Sequence, residues 1–299
     1  MNIGLGDYML LSDYKKSYLA QCHLKELSAE TIKTYDKHIN YFIKHTSDIE
    51  VCLLCQEIIE SYIIFVNQSA LAAMSKRSYL REVKMFLHYI DKHEKTNYAN
   101  FVTLPRKHKK LVHILSSDEI GKIYCNLNTF RDKLIFALAY DCGLRRIEIS
   151  RLKLNDVFKG FFKILGKGNK ERLVPYGNLT ADLLNNYLRY EHDGENEYLI
   201  LTRYGKPFTV DGLSNFFRKL SIVSGIDLSA HRLRHNFATN YLINQIEHGS
   251  SDLFQLQLLL GHADPEVTKY YLHLAHEQLI IKNSFSQMDF LVQKKGINI

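Results

Sequence analysis

Apolar residues recur three and four positions apart through most of this chain, a spacing that predicts helices. In "AETIKTYDKHINYFIKH", Ile32, Tyr35, Ile39, Phe42 and Ile43 share a stripe, and Ser28 is placed to cap it. "SKRSYLREVKMFLHYIDKH" repeats the pattern, with Tyr79, Leu80, Val83, Phe86, Leu87 and Ile90 on one side. Lys76, Arg77, Arg81 and Lys84 occupy the other. Residues 12–102 therefore read as a small helical bundle with one basic helix. Pro105 and a charge run then interrupt the pattern, and Ser116-x-x-Glu119 is a capping-box start for the next helix. "TFRDKLIFALAYDCGLRRIEISRLKLNDV" is helical up to Gly143 and again beyond it. Next, "FFKILGKGNKERLVPYG" holds two short β-rich runs around a Gly-Lys-Gly-Asn-Lys turn, a hairpin signature. Helical segments fill the remainder. The fold class expected is mainly α: residues 1–102 a helical bundle, 103–115 a linker, 116–283 a mostly α domain with a small antiparallel sheet, and 284–299 a tail.

Composition refines this picture. A chain of 299 residues with 46% apolar content can bury one large core or two moderate ones. The formal charge of +7 is unevenly spread: residues 1–102 hold 12 basic and 12 acidic side chains, and residues 116–299 hold 23 and 20. Between them, Arg106, Lys107, Lys109 and Lys110 face no acid at all. That run, like the basic helix of the bundle, suits a phosphate backbone as well as it suits plain solvation. No stretch of 18 apolar residues offers a membrane span, and the first residues make no convincing signal peptide. With five cysteines, an odd number without framework spacing, the expected location is a reducing cytoplasm. Cys52 and Cys55 form one CxxC without a second pair, so both are expected on a buried helix face and not around zinc.

Four short stretches could carry chemistry. In His231-Arg232-Leu233-Arg234-His235, helical spacing puts His231 and Arg234 on one face, where they could bind an oxyanion and move a proton. His231 and His235 could instead bind zinc, but the glutamate of an HExxH site is replaced by Arg232. "CGLRRIEISRL" sets Arg145 and Arg146 just after a Gly-Leu break, where an arginine could be held toward an external anion. The turn Gly166-Lys167-Gly168-Asn169-Lys170 lacks Walker spacing, and its lysines could project into a groove or simply be solvated. Finally, Asp264 and Pro265 start a helix carrying Tyr270 and Tyr271. Neighbours on a helix diverge by about 100°, so one tyrosine should be core and the other available.

In their order along the chain, the stretches resemble the tyrosine recombinase (phage integrase) family, Xer recombinases included, over nearly the whole chain. The first arginine of the family, in a GLRxxE context, falls on Arg145, with Glu148 as its accompanying acid. The hairpin lysine, in GKGxKxRxVP, falls on Lys167, the HxxR pair on His231 and Arg234, and the LGH histidine on His262. The nucleophile follows that histidine by nine positions and is Tyr271, with His273 completing Y-x-H; Tyr270 is left as a packing or positioning aromatic. The resemblance implies a SAM-like core-binding domain followed by the catalytic domain, closing as a clamp on double-stranded DNA at specific sites. It implies a 3′-phosphotyrosyl intermediate and a free 5′-hydroxyl. Arg145, Arg234 and His262 would act on the non-bridging oxygens, His231 as base, Lys167 as acid and Glu148 as the orienting group. No metal, ATP or other cofactor is called for, and the expected assembly is a homotetramer on two DNA sites, or one shared with a related partner recombinase. The tail would dock on a neighbouring protomer. A type IB topoisomerase would use the same chemistry without recombining two sites, and a non-catalytic DNA-binding protein would form no adduct.

Overall fold

The computed structural model describes residues 9–106, 113–166, 170–262 and 264–282. It divides into two compact units, Met1–Lys110 and Leu111–Ile299.

The first unit is helical: α1 (Leu11–Leu24), α2 (Ala29–Thr46), α3 (Gln56–Gln68), α4 (Ala73–Glu94) and the short α5 (Tyr98–Phe101). Ser28 accepts from Thr31 N at 3.2 Å and starts α2. The apolar stripe of α2 meets that of α4, so Ile39, Phe42, Leu80, Val83, Phe86, Leu87 and Ile90 form the core with Leu11 and Tyr62. One polar pair interrupts this core. His38 donates to Glu82 at 3.2 Å and stacks on Tyr79, while Arg81 reaches Glu82 from outside at 2.5 Å. The cysteines depart from expectation: Cys52 and Cys55 are both exposed. Residues Val51–Leu53 form a 3₁₀ turn and α3 begins only at Gln56, so the turn buries Val51 and Leu54 instead of the two thiols.

The second unit opens with α6 (Ser117–Cys125), started by the reciprocal Ser116–Glu119 capping box. Then come α7 (Phe130–Tyr140), α8 (Arg146–Arg151), strands β1 (Val157–Phe158), β2 (Phe161–Leu165) and β3 (Glu171–Pro175), and α9 (Asn178–Tyr190). The chain ends its described part with α10 (Val210–Ser224), α11 (Ala230–Glu247), α12 (Leu253–Leu260) and α13 (Pro265–Lys282). The sheet is antiparallel in the order β1-β2-β3, and β2 pairs with β3 from Phe161↔Pro175 to Leu165↔Glu171. Phe162, Ile164 and Val174 turn inward to a core shared with α7 and α9. A separate apolar cluster joins α11, α12 and α13 through Ala238, Leu242, Leu256, Leu260 and Leu274. Among the described residues, no helix is long and apolar enough to cross a membrane.

Candidate active site

Two glycines make the site possible. After α7 the chain turns at Gly143, whose φ of +62° and closeness to the Phe237 ring leave no room for a Cβ. That turn puts Arg145 at the N-cap of α8. Glu148, one turn on, reaches back with 2.8 Å hydrogen bonds from both Arg145 N and Arg145 Nη1. Arg172 enters from β3 and grips the same carboxylate with both Nη atoms, at 2.9 and 2.8 Å. Burial of Glu148, only 6% exposed, would by itself raise its pKa; the hydrogen bonds and charges of Arg172 and Arg145 outweigh that and hold it below the usual range.

Gly261 is the second glycine. Its φ is +62°, and an added Cβ would sit 3.0 Å from Arg172 Nη1. It closes α12 in a left-handed cap and turns His262 toward α11. There Arg234, 2% exposed, donates to Gly143 O at 2.6 Å and Leu260 O at 2.5 Å. Its Nη2 also lies 3.2 Å from His262 Nε2. Burial, with Arg145 nearby, lowers the Arg234 pKa, but a guanidinium remains cationic at neutral pH. Burial and the charges of Arg234 and Arg145 push His262 down to about 4. Desolvation and the charges of Arg234, Arg145 and Arg146 also lower His231.

Tyr271 is 2% exposed, and its ring lies 5.9 Å from that of His262 and 5.3 Å from that of His235. Tyr270 is half-buried. Helix geometry separates the two as expected, but the more deeply packed one is the tyrosine matched to the nucleophile. It is packed against apolar neighbours on α11 and α12 as well as the two imidazoles. Burial raises the Tyr271 phenol above its usual pKa, and the charges of Arg234 and Arg145 oppose the rise. It is therefore protonated at neutral pH and would need a base.

The sequence profile of the phage integrase family matches residues 113–278, more than half of the chain. The chain belongs to the phage integrase family. Tyrosine recombinase XerD of Listeria monocytogenes serotype 4b is 29% identical over 283 residues, covering 87% of this chain and 93% of the relative. Among solved structures, a lambda integrase tetramer bound to a Holliday junction has a TM-score of 0.73 at 18% identity, covering 88% of this chain and 80% of that one. XerH recombinase bound to a palindromic difH substrate, a post-cleavage complex, has a TM-score of 0.69 at 23% identity, covering 87% and 81%.

In this integrase-family chain, Arg145, Glu148, Arg234, His262 and Tyr271 come together. His231 lies at their edge, exposed, with its ring 4.2 Å from that of His235. Lys167 lies outside the described residues, as do Lys107, Lys109 and Lys110. Of the other basic residues, Lys76 donates to Asn67 O, Arg77 to Pro105 O and Lys84 to Val102 O, all within the first unit. Arg81 and Arg106 are exposed. Sequence reasoning gave no role to Arg172 or Thr268 and weighed His235 only as a zinc ligand. A signal existed for Arg172: it alternates with buried Val174 on β3, and an arginine at an inward strand position needs a buried partner.

Proposed function

We propose that this chain is a site-specific DNA recombinase of the tyrosine type, which cuts and rejoins DNA through a 3′-phosphotyrosyl link at Tyr271. The observation that carries the reading is the cluster of Arg145, Arg234, His262 and Tyr271, drawn from three helices and a turn, with the arginines on one buried carboxylate, His262 against Arg234 and Tyr271 against His262. Around Glu148 stand three guanidiniums, those of Arg145 and Arg172 at hydrogen-bond distance and that of Arg234 at 3.9 Å. Two positive charges are left uncompensated, the condition for receiving a phosphate and the further charge of its pentavalent transition state.

The phenol oxygen of Tyr271 attacks phosphorus, and the bond to the 5′-oxygen breaks. Arg145 and Arg234 hold the non-bridging oxygens and His262 adds a hydrogen bond. His231, kept neutral at pH 7 by its surroundings, takes the phenolic proton. Lys167 gives a proton to the departing oxygen. Attack of a 5′-hydroxyl on the phosphotyrosine then reseals a strand, so the bond energy is kept and no nucleotide cofactor is used. Glu148 orients and does not react, since both its oxygens are already occupied. Residues 1–102 act as the core-binding domain, 103–115 as a basic linker and 116–283 as the catalytic domain. The working form is a tetramer on two DNA sites, like the lambda integrase tetramer on its junction. Residues 284–299 dock on a neighbouring protomer.

The test is covalent trapping on fragmented genomic DNA followed by mapping of the adduct. Tyr271→Phe should bind DNA and trap nothing, while Tyr270→Phe should still trap. A phosphotyrosyl peptide centred on Tyr270 would sink the assignment.

A further inference from the structure

Among the described residues the His262 ring makes two side-chain hydrogen bonds, and one placement of its protons satisfies both. A guanidinium can only donate, so His262 Nε2, 3.2 Å from Arg234 Nη2, accepts. Nδ1 of the neutral ring must then carry the hydrogen, which it gives to Thr268 Oγ1 at 3.0 Å. The cations of Arg234 on α11, Arg145 at the start of α8 and Arg172 on β3 all disfavour an imidazolium here, as does His235 on α11. Tyr271 on α13, stacked against the ring, is itself uncharged at neutral pH.

For phosphate chemistry this tautomer is the wrong way round. A phosphate oxygen accepts, so Nε2 would have to donate to it. Arg234 Nη2 is committed as well, with one hydrogen on Leu260 O and the other on His262. His262 Nε2 thus occupies, on Arg234, the place of an acceptor oxygen.

We propose that Thr268 is a positioning residue that lets His262 exchange tautomers as a phosphate arrives, its hydroxyl accepting from Nδ1–H beforehand and donating to Nδ1 afterwards. The inference rests on the reading above, in which Arg234 and His262 receive the phosphate. Nε2 takes a proton from solvent and Nδ1 returns one, so the ring is neutral at both ends and no net proton is consumed. Arg234 Nη2 is released to the phosphate in the same step. A hydroxyl suits this task because it rotates and both donates and accepts, whereas a carboxylate would only accept and would lock Nδ1–H in place. Thr268 is 1% exposed, and among the described residues its Oγ1 has no other partner, so its own O–H is unspent. Thr268 also precedes Tyr271 by one helical turn on α13, both side chains buried, so the same bond fixes the nucleophile's helix beside the phosphate ligands.

The experiment reads the two ring nitrogens of His262 by ¹⁵N NMR on histidine-labelled full-length protein, assigned by their loss in His262→Gln. Spectra are taken alone and with a duplex spanning the mapped adduct site, in the Tyr271→Phe background to prevent cleavage. Nδ1 should read as protonated alone and Nε2 as protonated on the duplex, in the parent and in Thr268→Ser. Thr268→Val should fail to invert, and its single-turnover cleavage should fall roughly 10- to 100-fold, as when a ligand-orienting partner is lost, with duplex affinity unchanged. Thr268→Asp should cleave poorly at neutral pH and recover as pH falls, because it supports donation from Nε2 only in the imidazolium. Two protonated nitrogens on the duplex, an unchanged tautomer, or Thr268→Val cleaving with the parent's rate and pH profile would each overturn the proposal. Should Thr268→Val not fold, the parent and Thr268→Ser spectra still decide. Adduct formation by Tyr271→Phe would instead refute the underlying reading, and the two failures are thereby distinct.

Discussion

Among the described residues each unit of this chain buries one carboxylate against basic side chains, and the two make opposite use of it. Glu82, 2% exposed in the helical bundle, is met by His38 from the facing helix and by Arg81, its neighbour in sequence. Burial pushes its pKa up, but the hydrogen bonds of His38 and Arg81 hold it below the usual range. Among the described residues a single guanidinium, that of Arg81, meets Glu82, so charge and countercharge match one to one. Glu148 gathers Arg145 from α8, Arg172 from β3 and Arg234 from α11, so one anion organises three distant elements and leaves a surplus of positive charge. A buried ion pair contributes little net stability, because desolvation offsets most of the attraction. What separates a site from a structural pair is therefore the number of charges left unmatched, not how deeply the carboxylate is buried.

Neutralising each carboxylate should break the comparison most sharply. Glu148→Gln places an amide against Arg172 and frees Arg145. Cleavage should fall roughly 100- to 1,000-fold, the range for loss of one preorganised oxyanion donor. Arg172→Lys, which keeps the charge but not the two-pronged grip, should fall between that variant and the parent. Glu82→Gln should leave the cleavage rate alone and cost about 1–3 kcal/mol of stability in its own unit. Single-turnover assays and denaturant titrations check both. Loss of cleavage in a folded Glu82→Gln protein would show that surplus charge is not the distinguishing feature.

Acid should separate the units next. His262 and His235 have pKa values near 4 in the fold, His235 chiefly through burial and then through the charges of His231 and Arg234, against an ordinary 6.5. The unfolded chain therefore binds protons first, and stability from these residues is complete above about pH 6.5 and declines as pH falls toward 4. Glu82 and Glu148 act later. Their folded values lie below the ordinary carboxylate value, so their contribution is present above about pH 4.3 and is lost as pH falls through the folded value. At pH 5, calorimetry of the full chain should show the unit containing His235 and His262 melting first, with Glu82 still charged in the other. Replacing both histidines by glutamine should remove most of that early decline. A first unit that melted earlier would contradict the assignment.

Much of this architecture was legible before the structure, for a physical reason. Helix stripes, the caps at Ser28, Ser116 and Asp264, and the hairpin are local, and local spacing reports them. The third strand, β1, has only two residues and carries no period to read. Cys52 and Cys55 were misjudged because helical periodicity was extended through a segment where a 3₁₀ turn resets the face. The convergence at Glu148 is tertiary, and no local pattern encodes it. Family register supplied Arg145, Arg234, His262 and Tyr271, while Arg172 stood in the hairpin-lysine motif GKGxKxRxVP without a role. His231 and Arg234 do share a helix, yet one is exposed and the other buried, since a turn of α11 separates its capped end from the core.

The smallest expected effect concerns the basic residues of the first unit, where the same contrast between spent and unspent charge applies. Lys84 gives a hydrogen bond to Val102 O at 3.0 Å, and Arg77 donates to Pro105 O, so both fasten the segment that follows α5. Arg106 is exposed. Each phosphate contact contributes about 0.9 to the slope of log affinity against log salt on duplex DNA. Arg106→Ala should therefore reduce that slope by about one contact and weaken binding evenly across sequences. Lys84→Ala should leave the slope nearly unchanged and show itself in thermal stability, since its charge already serves a backbone carbonyl. Salt titrations of duplex binding on the two variants, run beside Glu82→Gln as a control for folding, measure both. A Lys84→Ala slope change as large as that of Arg106→Ala would mean that the carbonyl contact gives way to a phosphate on binding, and that the distinction between fastening and binding side chains fails at Lys84.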